Sequence, residues 1–178
     1  MAGPKLTLRD GLTVWFTGLP SAGKTTLARA LEKRLLSEGY RVEVLDGDDL
    51  RARLGRELGF SRADRNENVR RIGFVAHLLS RNGVVAVCSV ISPYREARDE
   101  LRALHGGRFF EVHVATPVEV CGERDVKGLY ARQRTGEISM LTGVDDVYEE
   151  PLAPEVVVPT HLQTVEQSVA QVWEALTA

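Results

Sequence analysis

The octapeptide Gly18-Leu19-Pro20-Ser21-Ala22-Gly23-Lys24-Thr25 follows the pattern GxxxxGK ending in Ser or Thr, and it constrains this chain more than any other feature. Such a loop needs a buried strand before it and a helix after it. Its glycines must let the backbone fold round an anion while a helix N-terminus faces that anion. Both flanks are present. Thr13–Thr17 is an apolar run, and beyond the loop Leu27, Leu31 and Leu35 recur every four residues. Gly39 stands where a helix C-terminus takes a left-handed residue. Lys24 offers the phosphates a mobile positive charge, and the Thr25 hydroxyl can ligate a magnesium ion. A tight turn in an unrelated domain would have no use for Lys followed by Thr at that spacing.

Four further short apolar runs, Val42–Leu45, Val84–Cys88, Phe109–Val114 and Glu155–Val158, alternate with segments of helical period. Five strands separated by helices predict an α/β three-layer sandwich, with helices on both faces of a central, mainly parallel sheet. Ser61 can cap a long helix whose inner face is Val69, Ile72, Ala76 and Leu79, and which Asn82-Gly83 ends. Ser92, with Pro93 in the first turn, predicts the start of the next helix, and Thr164 the start of the last. Residues 126–144 are rich in Gly and basic side chains with weak periodicity, which suggests a mobile lid over a site. At 178 residues the chain is expected to form a single domain, 1–178.

A formal charge of −2 and a pI near 6.1 argue against nucleic-acid binding through a general basic surface and favour small acidic ligands. Cys88 and Cys121 lie in no CxxC or Cys/His pattern, so they read as buried, reduced thiols. Met1 to Leu12 has no apolar export core, and no stretch approaches the roughly 20 apolar residues of a membrane span. A cytoplasmic protein without a membrane anchor is expected.

Asp46-Gly47-Asp48-Asp49 follows the second strand, and the carboxyl ends of parallel strands border the ligand crevice. Asp46 is therefore placed to hold magnesium and to take a proton from an attacking hydroxyl. Asp48 or Asp49 could equally cap a short helix beginning near Leu50. Downstream, Arg51, Arg65, Asn68, Arg70, Arg71, Arg95 and Arg98 supply donors that an acidic substrate would need, several of them necessarily solvated.

Taken together these segments resemble adenylyl-sulfate kinase, a family of P-loop nucleotide kinase-like fold. The likeness runs from about Leu12 to the C-terminus through the phosphate loop with Thr26, Leu45–Asp48, Leu58–Ser61, Asp64–Asn68, Ile91–Arg95, Cys121–Tyr130, Leu141–Asp145 and Tyr148–Pro151. The resemblance implies transfer of the ATP γ-phosphoryl group to the 3′-hydroxyl of adenylyl sulfate, with Mg2+, in a homodimer. It implies that Gly18 to Thr26 and Arg124 bind ATP, and that Thr25 and Asp46 hold the metal. Lys24, Asp46, Ser92 and Lys127 would be catalytic. Asp48, Arg51, Phe60, Arg65, Asn68, Ile91, Ser92, Lys127 and Leu141 would contact the acceptor, with Phe60 stacked on its adenine. Ser92 is given in this family as a phosphorylated intermediate, whereas the local sequence reads as a helix start beside a directly in-line transfer. Two residues depart from the pattern. Leu141 replaces a common Phe, and Phe74 stands where an acidic residue is frequent. Two other readings share the loop: another small-molecule or nucleotide kinase, and a catalytically idle nucleotide-binding regulatory module.

Overall fold

The computed structural model describes residues 7–178, so the part of the export reading that falls on residues 1–6 lies outside it. Five strands, β1 (Leu12–Thr17), β2 (Val42–Asp46), β3 (Val85–Ser89), β4 (Phe109–Val114) and β5 (Val156–Val158), pair in the order β2-β3-β1-β4-β5. Every pairing is parallel, with Val14 opposite Val87 and Trp15 opposite Cys88 across β1 and β3. The three-layer α/β expectation holds, and the reason is visible in alternation along the central strands. Val14 and Phe16 of β1, with Val85 and Val87 of β3, enter one core, and Trp15, Ala86 and Cys88 enter the other. A strand buried on both faces must be apolar throughout, which is why these runs stand out in the sequence.

The first core is covered by α1 (Lys24–Ser37) and α7 (Val165–Thr177), the second by α3 (Arg62–Ser80) and α4 (Arg95–His105). Gly73 lets α3 and α4 touch: a Cβ there would lie 2.1 Å from Leu101 Cδ2. Short helices α2 (Gly47–Leu54), α5 (Val118–Arg124) and α6 (Leu129–Arg134) surround the carboxyl ends of the strands. Among the described residues no helix is long and apolar enough to cross a membrane.

Ser61 caps α3 by accepting from Asp64 N, and Thr164 caps α7 by accepting from Gln167 N, as their positions predict. Three local expectations fail. Ser92 does not cap α4, which starts at Arg95; the Glu149 carboxylate, 54 residues away, accepts from Arg95 N at 2.9 Å instead. Neither Asp48 nor Asp49 caps α2, because that helix begins at Gly47 and Asp46 itself accepts from Asp48 N and Asp49 N. The third strand starts at Val85, since Val84 N closes the preceding helix by donating to Leu79 O at 3.2 Å.

Candidate active site

A cleft of about 1350 Å³ opens at the carboxyl ends of the strands. Of the residues picked from sequence, Pro20, Ser21, Gly23, Lys24, Thr25, Thr26, Asp46, Asp48, Arg51, Phe60, Arg65, Asn68, Ile91, Ser92, Arg124, Lys127 and Leu141 line it. Gly18, Leu19 and Ala22 do not, and they serve the loop from behind.

The phosphate loop is fixed mainly through its carbonyls. Lys24 Nζ donates to Gly18 O (2.9 Å) and Leu19 O (2.6 Å), and Tyr130 donates to Pro20 O (3.0 Å). Ala22 O accepts from Thr116 (3.0 Å), Thr160 (2.7 Å) and Arg124 (3.2 Å). Ser21 and Gly23 have positive φ, 62° and 107°, and Gly23 delivers the chain into the N-terminus of α1. A Cβ on Gly18 would sit 2.7 Å from Val114 O, so the loop lies directly on β4. Burial, with the Lys127 charge second, pushes the Lys24 ammonium down to about 7.

Asp46 does two things at once. One carboxylate oxygen caps α2, and the other accepts from the Thr25 hydroxyl at 3.1 Å, which also contacts Ser89 Oγ at 3.1 Å. The helix cap thus orients a carboxylate toward the phosphate loop. Among the described residues no group of three or more His, Cys, Asp or Glu could hold a metal ion. The hydroxyl and carboxylate that do converge suit Mg2+, which usually keeps waters and substrate phosphates and takes only one or two protein carboxylates.

On the opposite wall, Arg51 donates to Leu58 O and Gly59 O, and Arg65 donates to Phe60 O and Met140 O. Both guanidinium groups also lie over the exposed Phe60 ring, at 4.7 and 5.5 Å. The side-chain oxygen of Asn68 is buried at the cleft without a hydrogen-bond partner. Lys127, in the 126–144 segment, pairs with Asp48 on α2 and so bridges the cleft. That segment contains α6, whose first amides donate to Asp125. Leu141 lines the cleft but also packs into the first core. Nothing in the structure explains Phe74, which is exposed on α3.

Ser92 is only 1% exposed and is held by Trp15 Nε1 (3.0 Å) and Thr17 Oγ1 (2.9 Å). Arg70, Arg71, Arg95 and Arg98, read as possible substrate donors, do not line the cleft. They bind Glu100, Glu57 with Glu67, Glu150 O and Glu111 respectively. Sequence reasoning missed Thr160, Gln163, Val165 and Ser168, which line the cleft beside Arg124. Their signal was available, since they follow β5 and the carboxyl ends of strands face the crevice. Thr142, which also lines the cleft and whose buried hydroxyl lacks a partner, was signalled only by lying in the Leu141–Asp145 segment of the resemblance.

The family model for adenylylsulphate kinase matches residues 10–159. The adenylyl-sulfate kinase of Microcystis aeruginosa is 57% identical over 167 residues, 94% of this chain and 92% of the relative. Among solved structures, the APS kinase of Mycobacterium tuberculosis in complex with AMPPNP and APS superposes with a TM-score of 0.90 at 43% identity, covering 94% of this chain and 98% of that one. A hexameric APS kinase from Thiobacillus denitrificans gives 0.71 at 39%, covering 94% of this chain and 29% of that one.

Proposed function

The chain belongs to the adenylylsulphate kinase family and is an ATP-dependent phosphotransferase acting on a hydroxyl group, and from that premise we propose how its own residues divide the reaction. The γ-phosphoryl group of ATP passes to the 3′-hydroxyl of adenylyl sulfate, giving 3′-phosphoadenylyl sulfate and ADP. The observation that carries this reading is one cleft joining a rigid phosphate loop to a wall of Arg51, Phe60, Arg65 and Asn68.

The loop from Gly18 to Thr26 cradles the nucleotide phosphates, and Arg124 with Thr160 borders the far end of the nucleotide. Lys24 meets the charge that develops on the transferred group. When bound, Mg2+ would supply charge neutralisation at the phosphates, held by Thr25 and Asp46. Asp46 is the acceptor of the hydroxyl proton, its geometry supported by the α2 cap that holds it. Arg51 and Arg65 bind the phosphosulfate: Arg51 exchanges carbonyl oxygens for anionic ones, which make stronger partners, while Arg65 is already paired with the Asp146 carboxylate at 3.3 Å and adds the acceptor to that pair. The unpartnered Asn68 oxygen suits a ribose hydroxyl, and Phe60 suits stacking on adenine. Asp48 and Ile91 border the acceptor, and Lys127 carries its charge between the two substrates from the lid, 126–144. Ser92 acts by position: its hydroxyl is buried and doubly bonded, which supports in-line transfer without a serine intermediate.

We read residues 1–178 as one such domain, cytoplasmic and dimeric, the last point to be checked by sedimentation. ADP release measured with ATP and Mg2+ over a panel of acceptors tests the whole reading. Adenylyl sulfate alone should support fast turnover. Equal rates with sugars, nucleoside monophosphates or water would reject it.

A further inference from the structure

Arg98 is a charge with no access to water, only 2% exposed, on a helix outside the cleft. A buried guanidinium is costly unless its donors are all engaged, so what it touches shows what it holds together. It touches three separate segments. Nε meets Glu111 of β4 at 3.0 Å, one terminal nitrogen donates to Ser92 O, and the other to Glu149 O. Ser92 is a non-glycine residue at φ 44°, a conformation that persists only when its surroundings impose it. Glu149 lies just beyond the lid, and its amide and carboxylate are stitched to Pro93 O and Arg95 N.

Beside this cation lies a chain of hydroxyls that can be assigned without leaving a proton unplaced. Trp15 Nε1 donates to Ser92 Oγ, and Ser92 donates to Thr17 Oγ1. Tyr148, lying under Arg98 and stacked on His113, donates to the same Thr17 oxygen at 2.9 Å. Thr17 then has one proton, which goes to Ile91 O at 2.7 Å. Burial keeps the Tyr148 phenol protonated, pushed up to about 12, so it can serve as that donor. Thr17 immediately precedes Gly18, and Ile91 lines the acceptor side of the cleft.

We propose that Arg98 and Tyr148 are positioning residues for phosphoryl transfer, tying the C-terminal stem of the lid and the Ile91–Ser92 wall to the root of the phosphate loop. They touch neither substrate. Their effect is to fix the distance between the segment that carries the acceptor and the loop that carries the donor, a geometry on which in-line transfer depends steeply. This rests on the kinase reading above.

The decisive variant is Tyr148→Phe, which removes one hydroxyl and keeps the ring. The turnover number should fall about tenfold while KM for ATP stays within about twofold, since the loop itself is intact. Amide exchange in 141–146, measured with ADP bound, should quicken about tenfold, because the stem has lost a tether. Thr17→Ser should keep near-wild-type turnover, and Thr17→Val should repeat the Tyr148→Phe loss. Arg98→Lys, which keeps charge but cannot reach three segments, should lose more; if it does not fold, Tyr148→Phe and the Thr17 pair still decide. A lowered melting temperature with wild-type turnover and wild-type exchange would overturn the proposal and leave only a structural knot. Failure of wild-type enzyme to use adenylyl sulfate would instead refute the kinase reading, and the exchange measurement would still judge the tether.

Discussion

The phosphate loop is gripped by donors that close on its carbonyls, whereas the arginines across the cleft direct their own donors at carbonyls of the turn 58–60 and of Met140. Lys24, Tyr130, Thr116, Thr160 and Arg124 hold the first; Arg51 and Arg65 bond to Leu58, Gly59, Phe60 and Met140 in the second. Lys24 apart, whose Nζ must leave Gly18 O and Leu19 O to reach a phosphate, the first arrangement is preorganised, because its other donors need not move for the loop to receive phosphate. The second must exchange partners when a substrate binds, so part of its binding energy goes into breaking bonds already made. Damage on the nucleotide side should therefore appear in the chemical step, and damage on the acceptor side in affinity.

Lys24→Ala should give the largest effect. It removes the loop's mobile charge and should lower turnover by at least about 10³-fold with the fold kept, as judged by circular dichroism. Near-wild-type turnover in the folded variant would break the phosphate-loop assignment. Asp46→Asn comes next: Asn also caps helices, so α2 should survive while turnover falls at least about 10²-fold in a magnesium-dependent assay. A change in nucleotide affinity alone would remove Asp46 as the base. Arg51→Ala should raise KM for adenylyl sulfate roughly 10–100-fold with KM for ATP unchanged, the value of one charged hydrogen-bond pair. Equal rises for both substrates would erase the contrast between the two walls.

A pH measurement sharpens the same contrast. Lys24 is held down near 7 by burial, so at about pH 8 it is largely neutral, and phosphates beside it favour its charged form. ADP binding at that pH should take up a proton, the uptake fading as pH falls below about 7, where the ammonium is already charged. Calorimetry in buffers of different ionisation enthalpy would read it, and Lys24→Ala should abolish it. The smallest effect is expected from Leu141→Phe, which should tighten adenylyl sulfate by less than about tenfold by adding an aromatic face to the cleft. Tighter ATP binding with unchanged acceptor affinity would put Leu141 at the wrong site.

The parts of the molecule legible in its sequence are those fixed by near neighbours. The five strands were marked by apolar runs, the phosphate loop by spacing, and the caps Ser61 and Thr164 by residues three positions on. Ser92 misled because the group that caps α4 comes from Glu149, and no local rule can see a partner 54 residues away. Arg98 looked like a substrate donor for a related reason: its segment borders the crevice, but only Glu111, Ser92 O and Glu149 O, the last 51 residues away, explain its turn inward. Asp46 was legible as a residue bordering the crevice, yet its role as the α2 cap was not, since the helix begins three residues earlier than expected.

The most direct test follows the phosphoryl group itself. With ATP labelled at the γ-phosphorus, Mg2+ and adenylyl sulfate, the label should appear in 3′-phosphoadenylyl sulfate in step with ADP, with none retained on the protein and little in inorganic phosphate. Label released to water at the rate of ADP formation, or held covalently on the chain, would contradict an in-line transfer between the two walls of this cleft.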